Sequence, residues 1–286
     1  MANFNSITYE GGTDGVAIIT LNRPIQLNSL SPAMGDELIR ALDQADEDSN
    51  VRVVILTGAG SAFSVGADLT IGSDVFTPVN ASENGSMNKR DWGGILVLRL
   101  FNMLKPTIAA VNGASVGVGA TLTLPCDIRI ASTRAKFGFV FTRRGIVTDG
   151  CASWFLPRVV GIATSLRWCL GGELVTADQA LEAGLISEIH EPENLLAAAH
   201  EIAMKMTSQT SPVAVSLTRR LLWQGLVENH PMGSHRLESM LIGFTLAGCD
   251  AHEGVESFLE KRPARFTSRV PDDLPAGWPL WQEPTF

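Results

Sequence analysis

Two glycine-rich turns carry the spacing most suggestive of chemistry. In Ser61–Asp68 (SAFSVGAD) a strand end gives way to small residues before the chain turns. In Asn112–Leu124 (NGASVGVGATLTL), Gly113, Gly117 and Gly119 lead into a helix. Glycines at a strand-to-helix turn let backbone N–H groups face a ligand, and the helix dipole favours negative charge there. Two such N–H groups converging on one oxygen make an oxyanion hole. Taken singly, each turn is equally explained by close packing of elements. No G-K-[ST] follows either turn, so a phosphate loop is excluded, and no G-x-S-x-G marks a nucleophile elbow.

Other chemistries find little support. Cys126, Cys151, Cys169 and Cys249 sit far apart in apolar stretches without a C-x-x-C pair, and are expected to be small buried hydrophobes. His190, His200, His230, His235 and His252 all fall in the last third, none with an i, i+4 partner. No metal site is expected. The 286 residues carry a net charge of -8 with no basic stripe, so nucleic acid and anionic membranes are not expected partners. Mean hydropathy is only +0.15, and no uncharged apolar run approaches the roughly 18 residues of a membrane span. The opening MANFNSITYEGG lacks a basic stretch followed by an apolar one, so no secretory leader is expected and the compartment predicted is the cytoplasm.

The elements that must position the turns form two blocks. Val16–Leu21, Val51–Leu56, Thr107–Val111, Ile128–Ala131 and Ile186–Ile189 read as strands, being β-rich and bounded by turn residues. Ser31-Pro32 opens a helix in which Met34, Leu38, Ala41, Leu42 and Ala45 form one buried stripe. Val53–Leu69 and Ile108–Leu124 repeat one order of strand, glycines and helix, which fits strand-strand-helix turns wound into a spiral. Beyond about residue 192 only helices are predicted, over Leu195–Met206, Pro212–Leu226, Met232–Leu246 and His252–Lys261. The division expected is a core over 1–192, a helical region over 193–266 and an extended tail over 267–286, pinned by Trp278 and Trp281. Gly72–Gly93 is polar and reads as a surface loop, a candidate lid.

Several motifs, in order along nearly the whole chain, closely resemble the enoyl-CoA hydratase/isomerase (crotonase) superfamily. They are Leu21-Asn22-Arg23-Pro24, Asn28-Ser29-Leu30, Ala62 to Asp68, Ala110-Val111-Asn112-Gly113 with Gly117-Val118-Gly119, and Cys126-Asp127-Ile128. Gly145-Ile146, Leu156-Pro157-Arg158, Ala180 to Ile186, and Glu253-Gly254 through Phe258, Lys261 and Arg262 continue the pattern. The resemblance implies an α/β fold, a spiral of ββα turns with a C-terminal helical trimerisation region, assembled as a homotrimer or dimer of trimers. It implies an acyl-CoA thioester as substrate, with coenzyme A part of the substrate and no further cofactor. The N–H groups of Ala67 and Val118 would stabilise the thioester enolate. Ser64, Val65, Gly66, Asp68 and Gly117 would cradle the substrate, Arg23 and Lys261 would supply positive charge, and Phe258 and Lys261 would act from a neighbouring subunit.

Two departures from that pattern shape the expected activity. Val118 stands where the second donor is usually glycine, so its side chain must point away from the thioester. The two glutamates of the family's hydratases would fall at Thr121 and Phe141, and neither is acidic. Between Trp92 and Gly172 the acids are Asp127 and Asp149 alone. Asp127 reads as structural, capping or pairing near Arg129. Asp149, four residues after Gly145, resembles the single catalytic carboxylate of the isomerase branches; as a residue before Gly150 it also suits the N-cap of a helix over Cys151–Leu156. Moving a double bond from the 3,4 to the 2,3 position needs one base that removes a proton at C2 and returns it at C4. Strand alternation puts Phe137, Phe139 and Phe141 on one face, either a water-excluding wall that raises the pKa of Asp149 or a piece of core.

The activity expected is an enoyl-CoA isomerase with Asp149 as base. Hydratase-like activity, an acyl-CoA hydrolase or dehalogenase with Asp149 as nucleophile, and a non-catalytic binder of CoA esters are the alternatives. The dehalogenase branch needs a histidine near the first pocket wall, and none precedes His190.

Overall fold

The computed structural model of the chain describes residues 4–70 and 90–279. The loop predicted over Gly72–Gly93 falls, up to residue 89, outside the described residues, as does Trp281. β1 (Ile7–Gly11) and β2 (Val16–Leu21) form an antiparallel hairpin, followed by helix α1 (Pro32–Glu47). The Ser31 hydroxyl accepts from the Met34 N–H and Pro32 takes the first helical position, a cap that contributes about 1 kcal/mol. Met34, Leu38, Ala41, Leu42 and Ala45 are all fully buried, as their spacing predicts.

Three turns of one pattern follow. β3 (Val53–Gly58) and β4 (Ala62–Ser64) precede α2 (Trp92–Phe101); β5 (Thr107–Val111) and β6 (Ala114–Val116) precede the single turn α3 (Val118–Thr121). β7 (Ile128–Ser132) and β8 (Lys136–Gly138) lead through a 3-10 turn, Phe141–Arg144, to α4 (Ala152–Val160). The first strand of each pair joins one sheet and the second joins another. The orders are β1-β2-β3-β5-β7-β10 and β4-β6-β8-β9, closed by β9 (Leu174–Thr176) and β10 (Glu188–His190) after α5 (Ile162–Gly171), with α6 (Ala177–Glu182) between the two strands. β3, β5 and β7 are parallel neighbours, as are β4, β6 and β8, so the chain winds as a spiral. The expected order of strand, glycines and helix is therefore refined: a second strand intervenes in each case, β4 after β3 and β6 after β5.

Period-two alternation sets what each face of the larger sheet meets. Val54, Leu56, Ala109 and Val111 turn toward the main core with the α1 stripe, and Val53, Ile55, Ile108 and Ala110 turn the other way. Leu195, Ala199, Ile202 and Ala203 of α7 (Leu195–Thr207) cover that second face. α8 (Pro212–Gly225), α9 (Pro231–Leu246) and α10 (Cys249–Glu260) complete the helical region. In one chain they leave Ile242, Leu246, Val255, Phe258 and Leu259 more than half exposed. Among the described residues no helix is long and apolar enough to cross a membrane.

Asp127 is structural, but its cation is not the neighbouring Arg129. Arg219 of α8 pairs with its Oδ2 at 2.7 Å, Trp223 Nε1 donates to Oδ1 at 2.8 Å, and the Thr107 N–H donates to Oδ2 at 2.7 Å. Arg129 instead donates to the carbonyl oxygens of Leu185, Leu124 and Cys126. Cys126 is buried and Cys151 and Cys169 are half-buried, but Cys249 is exposed. It opens α10, where its sulfur faces the Thr267 and Ser268 hydroxyls instead of the core.

Candidate active site

The two glycine-rich turns meet backbone to backbone. After β4 the chain passes Val65 and Gly66, whose φ of +96° only glycine adopts without strain. A Cβ there would stand 2.7 Å from the Val116 carbonyl oxygen, and one on Gly117 would stand 3.8 Å from the Gly66 α-carbon. Leu30 fixes the first turn by donating to Gly66 O at 2.7 Å and accepting from the Asp68 N–H at 3.0 Å. This leaves the Ala67 N–H between them without an acceptor among the described residues. Val118 is the first residue of α3, and its N–H likewise has no intrachain acceptor among those residues, the usual state of a donor in a first helical turn.

Asparagine side chains hold this arrangement from below. Asn28, fully buried at φ +56°, donates to the carbonyls of Ala59 and Ala62 at 2.9 and 2.8 Å and accepts from the Arg23 N–H. Asn112 donates to Gly60 O and Ala62 O and accepts from the Gly58 N–H. Sequence reasoning assigned these asparagines no part in the site. A side-chain amide donates and accepts at once from one planar head, which is the signal that could have marked them.

Asp149 does not cap a helix. α4 starts at Ala152 with Cys151 in the left-handed region, and the Asp149 carboxylate accepts instead from the Thr121 hydroxyl, 3.0 Å from Oδ1. Oδ2 lies beside the first turn of α2. A Cβ at Gly93 would be 3.2 Å from that oxygen and 3.2 Å from Val118 Cγ2, so the acid and the second amide-bearing residue share one wall. Burial pushes the Asp149 pKa up to about 6; the Thr121 bond pulls it down and the charge of Asp91 raises it further. Asp91, missed in the sequence, caps α2 through the Gly94 N–H. An Asp followed within three positions by an apolar helical run is its signal. Thr148 keeps its shielded hydroxyl without a partner among the described residues.

The phenylalanine wall is not built as alternation predicts. β8 stops at Gly138, and Phe141 opens the 3-10 turn that follows. Phe137 and Phe139 are fully buried, with Phe139 stacked on Trp168 at 6.2 Å, and Phe141 is buried in the same core. The acid lies beside Gly93 and Thr121. The Val118 side chain is buried at 4% exposure, packed toward Gly93.

The residues expected to cradle substrate divide. Ser64 is fully buried and its hydroxyl accepts from the Gly66 N–H, while the Val65 N–H donates to Leu27 O, so of the N–H groups from Val65 to Ala67 only that of Ala67 has no acceptor among the described residues. Arg23 pairs with Asp68 at 2.9 Å and donates to Ser29 O at 2.7 Å. Bonds from the Thr70 hydroxyl and from Arg23 hold the Asp68 pKa down to about 2. Phe258, 80% exposed, and Lys261, exposed just past α10, make no hydrogen bond or ion pair with the amides or the acid within one chain. Among the described residues no group of three or more His, Cys, Asp or Glu could hold a metal ion.

A family model described as enoyl-CoA hydratase/isomerase matches residues 11–269. The chain is 41% identical over 254 residues to enoyl-CoA hydratase ACTT3 of Alternaria alternata, covering 88% of this chain and 83% of that protein. It is 35% identical over 257 residues to the 1,2-epoxyphenylacetyl-CoA isomerase of Escherichia coli strain K12, covering 89% and 96%. A solved structure of a probable enoyl-CoA hydratase/isomerase from Mycobacterium abscessus superposes with a TM-score of 0.83 at 32% identity, over 91% of this chain and 98% of that one.

Proposed function

The chain belongs to the enoyl-CoA hydratase/isomerase family, and on that premise we propose that it shifts the double bond of an enoyl-CoA thioester with Asp149 as its single base. One observation carries this reading: a half-buried carboxylate, with its pKa raised to about 6, lies with Val118 beside Gly93, near one of two backbone donors that have no acceptor among the described residues, and neither Thr121 nor Phe141 adds a second acid. Asp149 takes a proton from C2 of a 3-enoyl-CoA, and the electron pair of the broken C–H bond moves into the thioester carbonyl. The Ala67 and Val118 N–H groups stabilise the resulting enolate oxygen. Such donors, aimed where charge develops, are worth about 10² to 10³ in rate each. The enolate then collapses, C4 takes the proton back from Asp149, and the double bond ends between C2 and C3. The coenzyme A of the substrate is the only cofactor this chemistry requires.

Hydration is the second reading, favoured by the relatives named enoyl-CoA hydratase at 40 to 41% identity. It requires a positioned water, and Asp91, the other acid among the described residues that acts on Asp149, is engaged in capping α2. The exposed apolar residues of α9 and α10 support assembly as a homotrimer or dimer of trimers, with Phe258 and Lys261 meeting substrate on a neighbouring subunit.

The test is incubation of the purified protein, beside Asp149→Asn, with a 3-enoyl-CoA and with a 2-enoyl-CoA. Conversion of the former to the 2-enoyl ester, lost in the variant, is expected. Reaction of the 2-enoyl ester alone, to a 3-hydroxyacyl-CoA, replaces isomerase by hydratase. Light scattering of the same sample reads the assembly.

A further inference from the structure

We propose that Thr121 is a positioning residue for the base: its hydroxyl, bonded to Oδ1 of Asp149, leaves Oδ2 as the carboxylate oxygen that takes up and returns the substrate proton. This deepens the reading above and rests on Asp149 being the base.

Thr121 is fully buried and ends the same single turn, α3, that Val118 begins, so the amide donor and the hydroxyl are built on one rigid piece of backbone. Its lone hydroxyl hydrogen has two acceptors within reach, Asp149 Oδ1 at 3.0 Å and Val118 O at 3.3 Å. The ionised carboxylate is both the nearer and the stronger acceptor. Gly150 makes the approach possible, since a Cβ there would stand 2.6 Å from the Thr121 hydroxyl oxygen. With Oδ1 held by a donor, a proton placed on it would face the hydroxyl hydrogen, so the proton goes to Oδ2. That oxygen is the one turned toward Gly93, the residue that Val118 Cγ2 also faces.

Thr121 also occupies a place where the sequence pattern leads one to expect a glutamate of the paired-acid members. The side chain in that slot here has no acid to donate; it orients the one acid that remains. The other titratable groups acting on Asp149 and its surroundings are Asp91 at the start of α2 and Cys151 before α4, with Arg90 acting on Cys151. None of them bonds to Oδ1 among the described contacts. Thr121 therefore opposes the upward push of burial and of Asp91 on the base.

The experiment compares wild type, Thr121→Val, Thr121→Ser and Asp149→Asn in pH–rate profiles on a 3-enoyl-CoA. Valine keeps the shape of threonine and deletes the donor. Loss of a charge-assisted bond should lower kcat about tenfold with KM held within about twofold. The acid limb should move up by a fraction of a pH unit to about one unit, and serine should restore both. A 13C titration of the Asp149 carboxyl in the folded, substrate-free proteins reads the same shift without turnover. If the valine variant does not fold, Thr121→Ala carries the comparison. An unchanged kcat, acid limb and carboxyl titration in the variant lacking the hydroxyl, with Asp149→Asn inactive, overturns the role of Thr121 alone. Full activity of Asp149→Asn overturns the base and its positioning residue together.

Discussion

Gly93 and Asp149 approach so closely that a methyl group on Gly93 would stand 3.2 Å from Oδ2, with Val118 Cγ2 equally near. The first turn of α2 is thus a lid of bare backbone over the acid, and glycine there is a matter of space, since its φ lies outside the left-handed region. Alanine is the better helix former by up to about 1 kcal/mol, so Gly93→Ala should fold and melt within about 1 kcal/mol of wild type. Its methyl group would strip water from Oδ2 and crowd the face shared with Val118. The expected result is an acid limb moved above pH 6 and a kcat/KM reduced about tenfold, read from pH–rate profiles beside thermal melts. A profile identical to wild type would place Oδ2 away from the reacting face.

Asp149 also carries a stability signature whose sign is fixed. Its folded pKa, about 6, lies above the 3.8 of an unperturbed aspartate, so the folded state holds the proton more tightly than the unfolded one. The stability this adds is complete below about pH 4 and is lost as pH rises through 6. At pH 8 the partly buried charge therefore costs on the order of 2 kcal/mol, from roughly 1.4 kcal/mol per pKa unit discounted for its exposure. Asp149→Asn, which carries no charge, should melt higher than wild type at pH 8, with the gap closing toward pH 4. If Asp149 is the base, activity and stability then move in opposite directions at one residue, the usual trade-off where a site is built for function. Equal melting points at both pH values would show that the carboxylate is well solvated.

What the sequence made legible was local. The α1 stripe, the Ser31 cap, β2 and β5 depend on residues a few positions apart, and their periodicity survives in the fold. The two amide-bearing turns were legible because glycines mark them within a few residues of a strand end. What depended on distant packing was not. Nothing near Thr121 announces that Asp149, 28 positions on, will accept its hydroxyl hydrogen. Asp127 has an arginine two residues away, yet pairs with one 92 residues away, because Arg129 lies where backbone carbonyls claim it. Phe141 falls in step with Phe137 and Phe139 only if the strand continues, and it stops at Gly138.

The Asp127–Arg219 pair offers a prediction away from the chemistry. Arg219 is 5% exposed and also donates to the Met103 carbonyl at 2.6 Å, so it locks α8 onto the ends of α2 and β7. Removing one partner of such a pair strands the other, at a cost of about 3 kcal/mol. Arg219→Ala should lower Tm by roughly 6 °C or more while leaving kcat at low temperature within about twofold. A melt unchanged from wild type would mean that Trp223 and Thr107 satisfy Asp127 by themselves.

Val118 allows the proposed oxyanion donor to be deleted without deleting the helix that carries it. It is the first residue of α3, preceded by Gly117 at φ +57°, and the first helical position is the one place where proline fits, because its missing N–H has no helical acceptor to lose. Val118→Pro therefore removes one donor and little else of the backbone. Val118→Gly restores the donor but deletes a side chain that is 4% exposed, leaving a void against Gly93. The two variants should separate cleanly. Proline should cost about 10² to 10³ in kcat with a modest loss of stability, as loss of one oxyanion donor does elsewhere. Glycine should keep kcat within a few fold while lowering stability by about 2 kcal/mol, through the lost side chain and the added backbone freedom. If proline and glycine reduce kcat alike, the valine contributes through packing, and the enolate oxygen is held by Ala67 without the second amide.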